Sequence, residues 1–414
     1  MRWEFFVAKN IVFKDNSKVA RPIINIALVG VVISLAVMIV SVAIVSGFKQ
    51  IIKDKVTGFA AHMEITAYET NFSYETKPIN KKQNFLPELK KIKEIRHIQT
   101  FATKSGIIKT KDNFQGIVLK GIGPDFDWHF LAKHLVSGDT LNLTKDTASN
   151  GIVISKKIAN LLNLKPGDKI VIYFIQDPPR FRKLTVKGIY DTDFEEFDKV
   201  FAFVDIRHIQ KLNGWNDKQV SGFEIFINNF DDLDKVKQQV TDIVTMYSYQ
   251  QGAEFLNVKS IKDLYPYIFD WISLFNTNVF VIIFLLVTVA SINLASGLLI
   301  LILDKTQTIG ILKALGATNA GITRIFINVG SISVSKGILW GNVLGITLVA
   351  LQYFTHLVKL DPESYYVDYV PVSLHISHLL LLNLGVFVIT VFILVFPSLI
   401  VSRITPAKAI RFAG

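Results

Sequence analysis

Four long hydrophobic segments dominate the pattern of apolar and polar residues along the chain. Runs without any Asp, Glu, Lys or Arg cover 27 residues between Arg21 and Lys49, 33 between Asp270 and Asp304, 22 between Lys336 and Lys359, and 34 between Asp368 and Arg403. A helix needs roughly 20 apolar residues to cross a bilayer, whereas the buried helices of soluble proteins keep a polar face. The pattern therefore predicts four transmembrane helices.

Residues 49–270, between the first two runs, have the mixed pattern of a folded domain. Short β-branched and aromatic segments bounded by Gly, Pro, Asn or Asp predict strands, and 3.6-residue spacing predicts helices. The predicted strands are 58–68, 107–110, 116–120, 151–154, 169–174, 183–190, 200–205 and 222–227, and the predicted helices are 86–95, 155–162, 205–212 and 231–240. The order of strands and helices indicates an α+β domain.

The predicted organisation follows from these segments. Aromatic and basic residues are mixed at the N-terminus, as in a helix that lies in the membrane interface. The first run is about twice as long as the h-region of a cleaved signal peptide, so we expect an uncleaved helix that continues as a stalk. The predicted segments are 1–21 (interfacial helix), 22–52 (first transmembrane helix and stalk), 53–268 (exported α+β domain), 269–303 (second transmembrane helix), 304–324 (cytoplasmic loop), 325–358 (third helix), 359–368 (short exported loop), 369–402 (fourth helix) and 403–414 (cytoplasmic tail).

The distribution of charge predicts the orientation. The chain has 414 residues, of which 50% are hydrophobic and 19% charged, and a formal net charge of +11. Residues 1–21, 304–324 and 403–414 together carry +8 of that charge, whereas residues 359–368 are acidic. Because Lys and Arg concentrate in short cytoplasmic loops, we expect both termini and the middle loop in the cytoplasm. The basic excess is a topology signal, so we expect no nucleic-acid partner.

The sequence lacks the common motifs of catalysis. There is no cysteine, no phosphate-binding P-loop and no H-E-x-x-H or G-x-S-x-G motif. Two histidines, His375 and His378, have helical spacing but suit an ordinary interfacial face better than a metal site. An acidic cluster, formed by Asp191, Asp193, Glu195, Glu196 and Asp198, can bind a cation, but a solvated loop is the favoured interpretation. We therefore expect no catalytic residue, metal or cofactor in this chain.

The hydrophobic runs indicate close packing and a mechanical task. None of the four runs contains an ionisable carboxylate or amine, which ion-coupled transporters normally keep near the membrane midplane. Gly337, Gly341 and Gly345 are spaced by four residues in the third run, and such small residues let helix backbones approach. We expect a tight helix interface there, within the subunit or with another one.

The cytoplasmic loop carries the most specific pattern. It contains a short amphipathic segment that ends at a glycine, typical of a helix with a glycine C-cap, and a helix restarts at Asn319. The residues of the expected docking element are Ile309, Gly310, Leu312, Lys313, Ala314, Leu315, Gly316 and Ala317. A helix of this kind suits the groove of a soluble partner, although it could also be a mere connector.

These residues carry a resemblance to a known family. The segment Ile309-Gly310-Ile311-Leu312-Lys313-Ala314-Leu315-Gly316-Ala317 resembles the loop signature of FtsX-like ABC permeases, and Thr405-Pro406-Ala407-Lys408-Ala409-Ile410-Arg411 is similar to their C-terminal ending. One helix, a large exported domain and three further helices is the layout of that superfamily. The segments Phe6-Val7-Ala8-Lys9, Val45-Ser46-Gly47-Phe48 and Gly151-Ile152-Val153-Ile154-Ser155 with Lys165-Pro166-Gly167-Asp168-Lys169 resemble the LolC/LolE lipoprotein-releasing permeases.

The resemblance implies a FtsX-like, MacB-like permease fold and a mechanically driven release of lipoproteins from the inner membrane of a bacterium. It implies a LolD-like cytoplasmic ATPase dimer that binds ATP and Mg²⁺, and a second permease subunit, in either a homodimer or a LolC/LolE-type heterodimer. It also implies lipidated protein cargo and a periplasmic LolA-like carrier. The first two helices would transmit the motion of the ATPase to the exported domain. The chain departs from the family at Thr308, where Glu is usual, and in a short loop, 176–182, where a longer hairpin is expected.

Two further sets of residues are candidates for contacts with cargo and carrier. The outer-leaflet halves of the first two predicted membrane helices present large apolar side chains that suit acyl chains. These residues are Met38, Val42, Val45, Phe48, Trp271, Phe275 and Phe280. Their alternative role is ordinary helix packing or contact with lipid. The short loop offers Pro178, Pro179, Arg180 and Phe181 for the carrier. Alternative functions are drug or peptide efflux, regulation of cell-wall hydrolases, or a membrane sensor or scaffold.

Overall fold

The computed structural model describes residues 3–14, 20–69, 73–110, 113–144, 147–249, 254–361 and 365–403. The C-terminal motif at 405–411 lies outside the described residues. The chain divides into two compact units. We call Met1–Gln50, Trp271–Lys359 and Tyr369–Gly414 the membrane unit, and Ile51–Asp270 with Leu360–Asp368 the α/β domain.

Helices and strands alternate along the α/β domain, and helices form the membrane unit. The helices of the described ranges are α1 (Trp3–Lys14), α2 (Ala20–Ala60), α3 (Leu86–Leu89), α4 (His129–Lys133), α5 (Lys156–Leu162), α6 (Glu195–Asp198), α7 (Ile206–Asn213), α8 (Leu233–Ser248), α9 (Ile261–Leu264), α10 (Pro266–Asp304), α11 (Thr306–Ala314), α12 (Asn319–Thr355) and α13 (Ile376–Ser398). The strands are β1 (Met63–Ala67), β2 (Ile79–Asn80), β3 (Ile95–Lys109), β4 (Phe114–Ile122), β5 (Leu135–Gly138), β6 (Gly151–Ser155), β7 (Lys169–Phe174), β8 (Arg180–Tyr190), β9 (Phe201–Asp205), β10 (Gln219–Val220), β11 (Gly222–Ile227) and β12 (Leu256–Ser260). Short 3₁₀ turns cover Phe230–Asp232 and Leu399–Arg403.

Four of the described helices are long and apolar enough to cross a membrane, namely α2, α10, α12 and α13. This confirms the predicted combination of four membrane helices with a large domain of strands and helices. The first, α2, has 41 residues, which corresponds to roughly 60 Å at 1.5 Å per residue and is about twice the hydrocarbon thickness of a bilayer.

Helix α2 continues further than the sequence predicts. A strand was expected from residue 58, but the helix ends only at Ala60, and Ala61 takes a left-handed conformation with φ 58°. A left-handed residue just after the last turn is a common helix terminator. Strand β1 then begins at Met63, so the first residues of the predicted strand belong to the end of the helix.

The membrane helices pack through apolar clusters with a few polar pairs. Leu35 and Met38 of α2 are fully buried in one cluster, which Val287 of α10 joins. Asn342 of α12 and Asn383 of α13 exchange two side-chain hydrogen bonds, each 3.0 Å long. Such pairs fix the register of two helices in an apolar environment.

Helix α12 corrects one inference from the sequence. The charge-free run after Lys336 is only the second half of this helix, which begins at Asn319 and includes Lys336 in its middle. Its neighbour Gly337 lies against Val31 of α2. The third helix is therefore not free of ionisable groups, because the regular helix extends beyond the segment that the charge pattern delimits.

The α/β domain is built on one large sheet. Nine strands pair in the order β12-β1-β11-β3-β4-β9-β6-β8-β5, and β7 pairs with both β3 and β8. Consequently β3, β4, β9, β6, β8 and β7 form a closed ring of strands. Among the strand pairs of the described residues, β4–β9 and β6–β8 are parallel and the others are antiparallel. A two-stranded sheet of β2 and β10 lies apart from it.

Most of the predicted elements of this domain are present. Strand β6 and helix α5 match closely, and Ser155 caps α5 by accepting a hydrogen bond from Ile158 N at 3.1 Å. The predicted helix 86–95 is wrong beyond its first turn, because α3 ends at Leu89 and Ile95 already starts β3. Residues 90–94 form turns instead, and pairing with β11 draws Ile95 into the sheet.

Candidate functional site

The loop expected to dock an ATPase folds as helix α11 followed by a tight turn into α12. Gly316 has φ 97°, a left-handed conformation that L residues rarely adopt. Thr318 caps α12, because its Oγ1 accepts a hydrogen bond from Gly321 N at 3.2 Å. The glycine and the threonine together end one helix and start the next within the four residues between Ala314 and Asn319.

Several residues of the expected docking set face the interior of the membrane unit. Ile309 and Gly310 are buried, and Leu312 and Ala317 pack against the apolar cluster that contains Ile309. The ammonium group of Lys313 donates a hydrogen bond to the carbonyl of Val401 at 2.8 Å. This face anchors the loop to the helix ends around it.

The opposite face of α11 is exposed and apolar. Leu315 is 80% exposed and Ile311 is 51% exposed, and both Ala314 and Thr308 are also exposed. Ile311 was not singled out among the docking residues from the sequence. Its spacing from Thr308 and Leu315, i, i+3 and i+7, is the signal that could have assigned it to this face. We call Thr308, Ile311, Ala314 and Leu315 the docking face.

The N-terminal helix α1 packs against the first half of α12. Ala8 is fully buried in the cluster that contains Ile309, and a carboxylate oxygen of Glu4 lies 4.0 Å from the guanidinium of Arg324. Phe5 and Phe6 point away and are 39% and 59% exposed. The helix thus has one face on the protein and an aromatic face free for another apolar surface.

The three spaced glycines of α12 lie against α2. A Cβ atom added to Gly337 would meet Val31 at 2.6 Å, one added to Gly341 would meet Leu35 at 2.9 Å, and one added to Gly345 would meet Ile39 at 3.0 Å. Carbon atoms in contact normally lie about 3.5–4.0 Å apart. The missing side chains therefore permit the close approach of these two helices within the subunit.

The candidate lipid-contact residues differ in how far they are exposed and in what they contact. Phe48 of α2 stacks on Phe275 of α10 with ring centres 5.7 Å apart, and Trp271 contacts Phe275 edge-on at 4.7 Å. We call these three rings the aromatic gate. Met38 is fully buried among helices, and Phe280 is 70% exposed. The remaining members, Val42 and Val45, are half-buried.

The candidate carrier loop is a short turn between β7 and β8. Its Arg180 points inward, where its guanidinium donates hydrogen bonds to the carbonyls of Lys211 and Leu212 at 3.0 and 3.1 Å. Arg180 therefore caps the last turn of α7. Phe181 is 62% exposed, and Pro178 and Pro179 are exposed beside it.

Phe181 belongs to a larger exposed face that the sequence did not reveal. Strand register places it opposite Tyr173, which lies opposite Ile107 on β3. Alternate residues of β3, β4, β7 and β8 point to solvent here, and they form what we call the outer sheet face: Ile107, Lys109, Phe114, Lys169, Val171, Tyr173, Phe181 and Lys183. The alternation within each strand is visible in the sequence, but the pairing of β7 with β3 is not.

The acidic cluster is not a simple solvated loop. Asp198 is buried and accepts hydrogen bonds from Thr192 N and Thr192 Oγ1 at 3.0 and 2.7 Å, while burial raises the pKa of Asp198 to about 6. Glu195 pairs with Lys199 and, at 3.1 Å, with Lys157, and hydrogen bonds from these two lysines lower the pKa of Glu195. Among the described residues no group of carboxylates and histidines suits a metal ion. The expectation of a solvated loop was wrong because the cluster packs against its own backbone and lysines.

Comparison with known proteins gives two family matches that together cover most of the chain. Residues 26–243 match the MacB-like periplasmic core domain, and residues 278–406 match the FtsX-like permease C-terminal region. The lipoprotein-releasing system transmembrane protein LolE of Haemophilus influenzae is 23% identical over 96% of both chains. The lipoprotein-releasing system transmembrane protein LolC of Xylella fastidiosa is 22% identical over 93% of both chains.

A solved structure is also similar to part of the chain. The periplasmic region of MacB from Actinobacillus actinomycetemcomitans covers 53% of this chain and 97% of its own, with 13% identity and a TM-score of 0.33.

Proposed function

The chain belongs to the family of FtsX-like permeases with a MacB-like periplasmic core domain, as a member of the LolC/LolE type, and we propose that it is the membrane subunit of an ABC transporter that releases lipoproteins. The observation that carries this proposal is the similarity to LolE and LolC over nearly the full length of both chains. The protein is a multi-pass membrane protein. We propose that it lies in the bacterial inner membrane with both termini in the cytoplasm.

The energy source in this proposal is a separate ATPase dimer that holds ATP and Mg²⁺. The chain itself has no P-loop motif. The docking face supports the proposal, because Leu315 and Ile311 expose apolar surface that an amphipathic helix buries in a partner's groove. The inward contacts of Ile309 and Lys313 anchor the same helix, so that force on it reaches the membrane helices.

The cargo in this proposal is a lipid-anchored protein. The aromatic gate lies where α2 and α10 leave the hydrophobic runs, and large rings suit acyl chains of variable shape. Extraction of an acyl chain from the bilayer costs about 0.8 kcal/mol per methylene group. A carrier with its own apolar pocket must offset most of that free energy, and ATP supplies the remainder.

The outer sheet face is the proposed contact for such a carrier. It carries three aromatic side chains, with Phe181 62% and Phe114 74% exposed, and three lysines lie between and beside them. Exposed aromatic side chains are enriched in protein interfaces. Within the candidate loop, Phe181 fits this role, whereas Arg180 serves the domain's own structure.

Photocrosslinking in cells tests the cargo. A photoreactive amino acid at Phe275, in the aromatic gate, is expected to capture a lipidated protein, and nucleotide with the ATPase present is expected to deplete the adduct. The matched control is Leu380 of α13, which is 63% exposed on another helix. Capture of phospholipid alone at both positions, with no effect of ATP, would contradict lipoprotein release and favour efflux or a regulatory role.

Copurification tests the docking face. Leu315→Asp and Ile311→Asp place a charge where an apolar contact is proposed, and an unpaired buried charge is costly. Both variants are expected to lose the ATPase while they still insert into the membrane. Leu161→Asp, at a half-exposed site of the α/β domain, is the control. Full recovery of the ATPase by the Leu315 variant would reduce α11 to a connector.

A further inference from the structure

The two long helices that enter the α/β domain are connected to it through neighbouring strands. Strand β1 follows the end of α2, and strand β12 precedes α9 and α10. The two strands pair antiparallel over five residue pairs, from Met63 opposite Ser260 to Ala67 opposite Leu256. The two helices therefore continue into two strands that are direct neighbours in the sheet.

A row of charged and polar side chains crosses the sheet at this connection. Strand register places Glu64 of β1 opposite Lys259 of β12 on one side and opposite Glu224 of β11 on the other. Glu224 is in turn opposite Gln99 of β3, whose amide donates a hydrogen bond to it at 2.8 Å. Charged and polar side chains of four adjacent strands thus lie in one row on the same face of the sheet.

Lys120 ties this row to the end of α2. Its ammonium lies 2.5 Å from a carboxylate oxygen of Glu224, and the two side chains are 6% and 0% exposed. The same ammonium donates a hydrogen bond to the carbonyl of Phe59 at 3.1 Å. Carbonyl groups in the last turn of a helix lack helical partners and carry partial negative charge, so a cation is favourable there.

Aromatic packing holds the same helix end from its other side. The ring of Phe59 stacks on Phe197 with centres 4.6 Å apart and meets Phe201 and Phe203 edge-on at 5.3 and 5.4 Å. The last turn of α2 is therefore fixed both by a hydrogen bond to its backbone and by rings around its side chain.

A buried ion pair needs an explanation other than stability. Its desolvation offsets much of the attraction, and apolar residues of similar volume often stabilise a fold equally well. Apolar residues would not, however, join a helix carbonyl, β4 and β11 at a single point. The hydrogen bonds of Lys120 are directional, so they define the position of the helix end on the sheet.

We propose that Lys120 and Glu224 are positioning residues of a rigid joint, which holds the end of α2 at one place on the sheet so that movement of α2 displaces the whole α/β domain. This inference rests on the proposed function, in which the ATPase moves α2. Neither residue contacts cargo, carrier or nucleotide in this role. The joint makes the helix and the sheet move as one body.

The first test uses full-length protein in complex with its ATPase and partner permease. The double variant Lys120→Met with Glu224→Gln removes both charges and leaves neither partner buried alone. Lipoprotein release is expected to fall about tenfold, the size of a typical coupling between two sites, while ATP hydrolysis stays at the wild-type rate. The control is Lys104→Met, which removes another buried lysine of this sheet, paired with Glu75 at 3.3 Å.

Wild-type release in the double variant, with its thermal stability unchanged, would overturn the joint but not the proposed function. A wild-type complex that hydrolyses ATP without releasing lipoprotein would instead overturn the proposed function. Loss of ATP hydrolysis together with release would also contradict the joint, because uncoupling must spare the ATPase.

A second test does not depend on the folding of any joint variant. The chain has no native cysteine, so spin labels can be placed at Asp54→Cys near the end of α2 and at Met246→Cys on α8, both of which are exposed. In the wild-type joint, the distance between the labels is expected to be the same without nucleotide and with ATP bound. A shift between the two conditions would show that α2 slides against the domain and would overturn the proposal.

Discussion

A methyl group at Gly341 should weaken the packing of α12 on α2. A Cβ atom at this position would lie 2.9 Å from both Cβ and Cδ2 of Leu35, although carbon atoms in contact prefer about 3.5–4.0 Å. Leu35 is fully buried, and its Cβ cannot rotate away because the backbone fixes it. The helices must therefore separate by roughly 1 Å, and overpacking of this kind costs about 1–3 kcal/mol.

The chain offers a matched control for this prediction. Gly385 lies inside α13, and a Cβ added there would meet nothing within 4 Å. Gly→Ala gains helix propensity of about 1 kcal/mol at either position, so the difference between the two variants isolates the helix contact. We expect Gly341→Ala to be less stable than Gly385→Ala by about 1–3 kcal/mol.

The assay is unfolding of the full-length protein in mild detergent by titration with a denaturing detergent, followed by tryptophan fluorescence. Gly341→Ala is expected to unfold at a lower denaturant concentration than wild type, and Gly385→Ala at the same or a higher one. Equal midpoints for the two variants would refute the close contact between α12 and α2.

Three further predictions use other parts of the molecule. Burial and a neighbouring carboxylate raise the pKa of Glu64 from 4.5 to about 8. Because the folded state holds this proton more tightly than the unfolded state, the free energy of unfolding should fall by roughly 2–4 kcal/mol as pH rises through this range. Glu64→Gln should flatten that fall, as measured by thermal unfolding at pH 5 and pH 8.5. Asn342→Leu removes one partner of the reciprocal amide pair and should destabilise the detergent-solubilised protein by about 1–2 kcal/mol, with partial recovery when Asn383→Leu is added. For topology, a cysteine at Asn229 should react with an impermeant maleimide in intact cells and one at Asn319 should not; the reverse labelling pattern would invert the proposed orientation.

The local pattern of apolar and polar residues was sufficient to predict the elements whose environment is set by the solvent around them. A charge-free run of 22 or more residues has few stable locations other than a membrane or a protein interior, so the membrane helices could be predicted from their sequence. The turn at Gly316 was equally readable, because the glycine follows an amphipathic segment and precedes the capping Thr318. Family resemblance added the transport function, which composition alone left open.

The faces of these elements required the tertiary structure. Periodicity identified α11 as amphipathic, but its two apolar sides were not distinguishable from one another in sequence. Ile309 and Leu312 turn inward, toward an apolar cluster that residues of α1 and α12 also form, and Ile311 and Leu315 are left outside. Which apolar residue meets a partner is decided by what the rest of the chain already covers.

Long-range pairing was beyond the reach of local pattern altogether. Residues 63–67 and 256–260 form neighbouring strands although most of the α/β domain lies between them in sequence. Lys120 and Glu224 are 104 residues apart and meet at 2.5 Å. Each such contact becomes favourable only when the pairing of all the strands together compensates the entropy cost of closing the long loops between them. The sequence by itself determined which segments enter the membrane and which fold outside it, and the tertiary structure alone decided which charges meet, because those contacts depend on the summed free energy of the whole sheet.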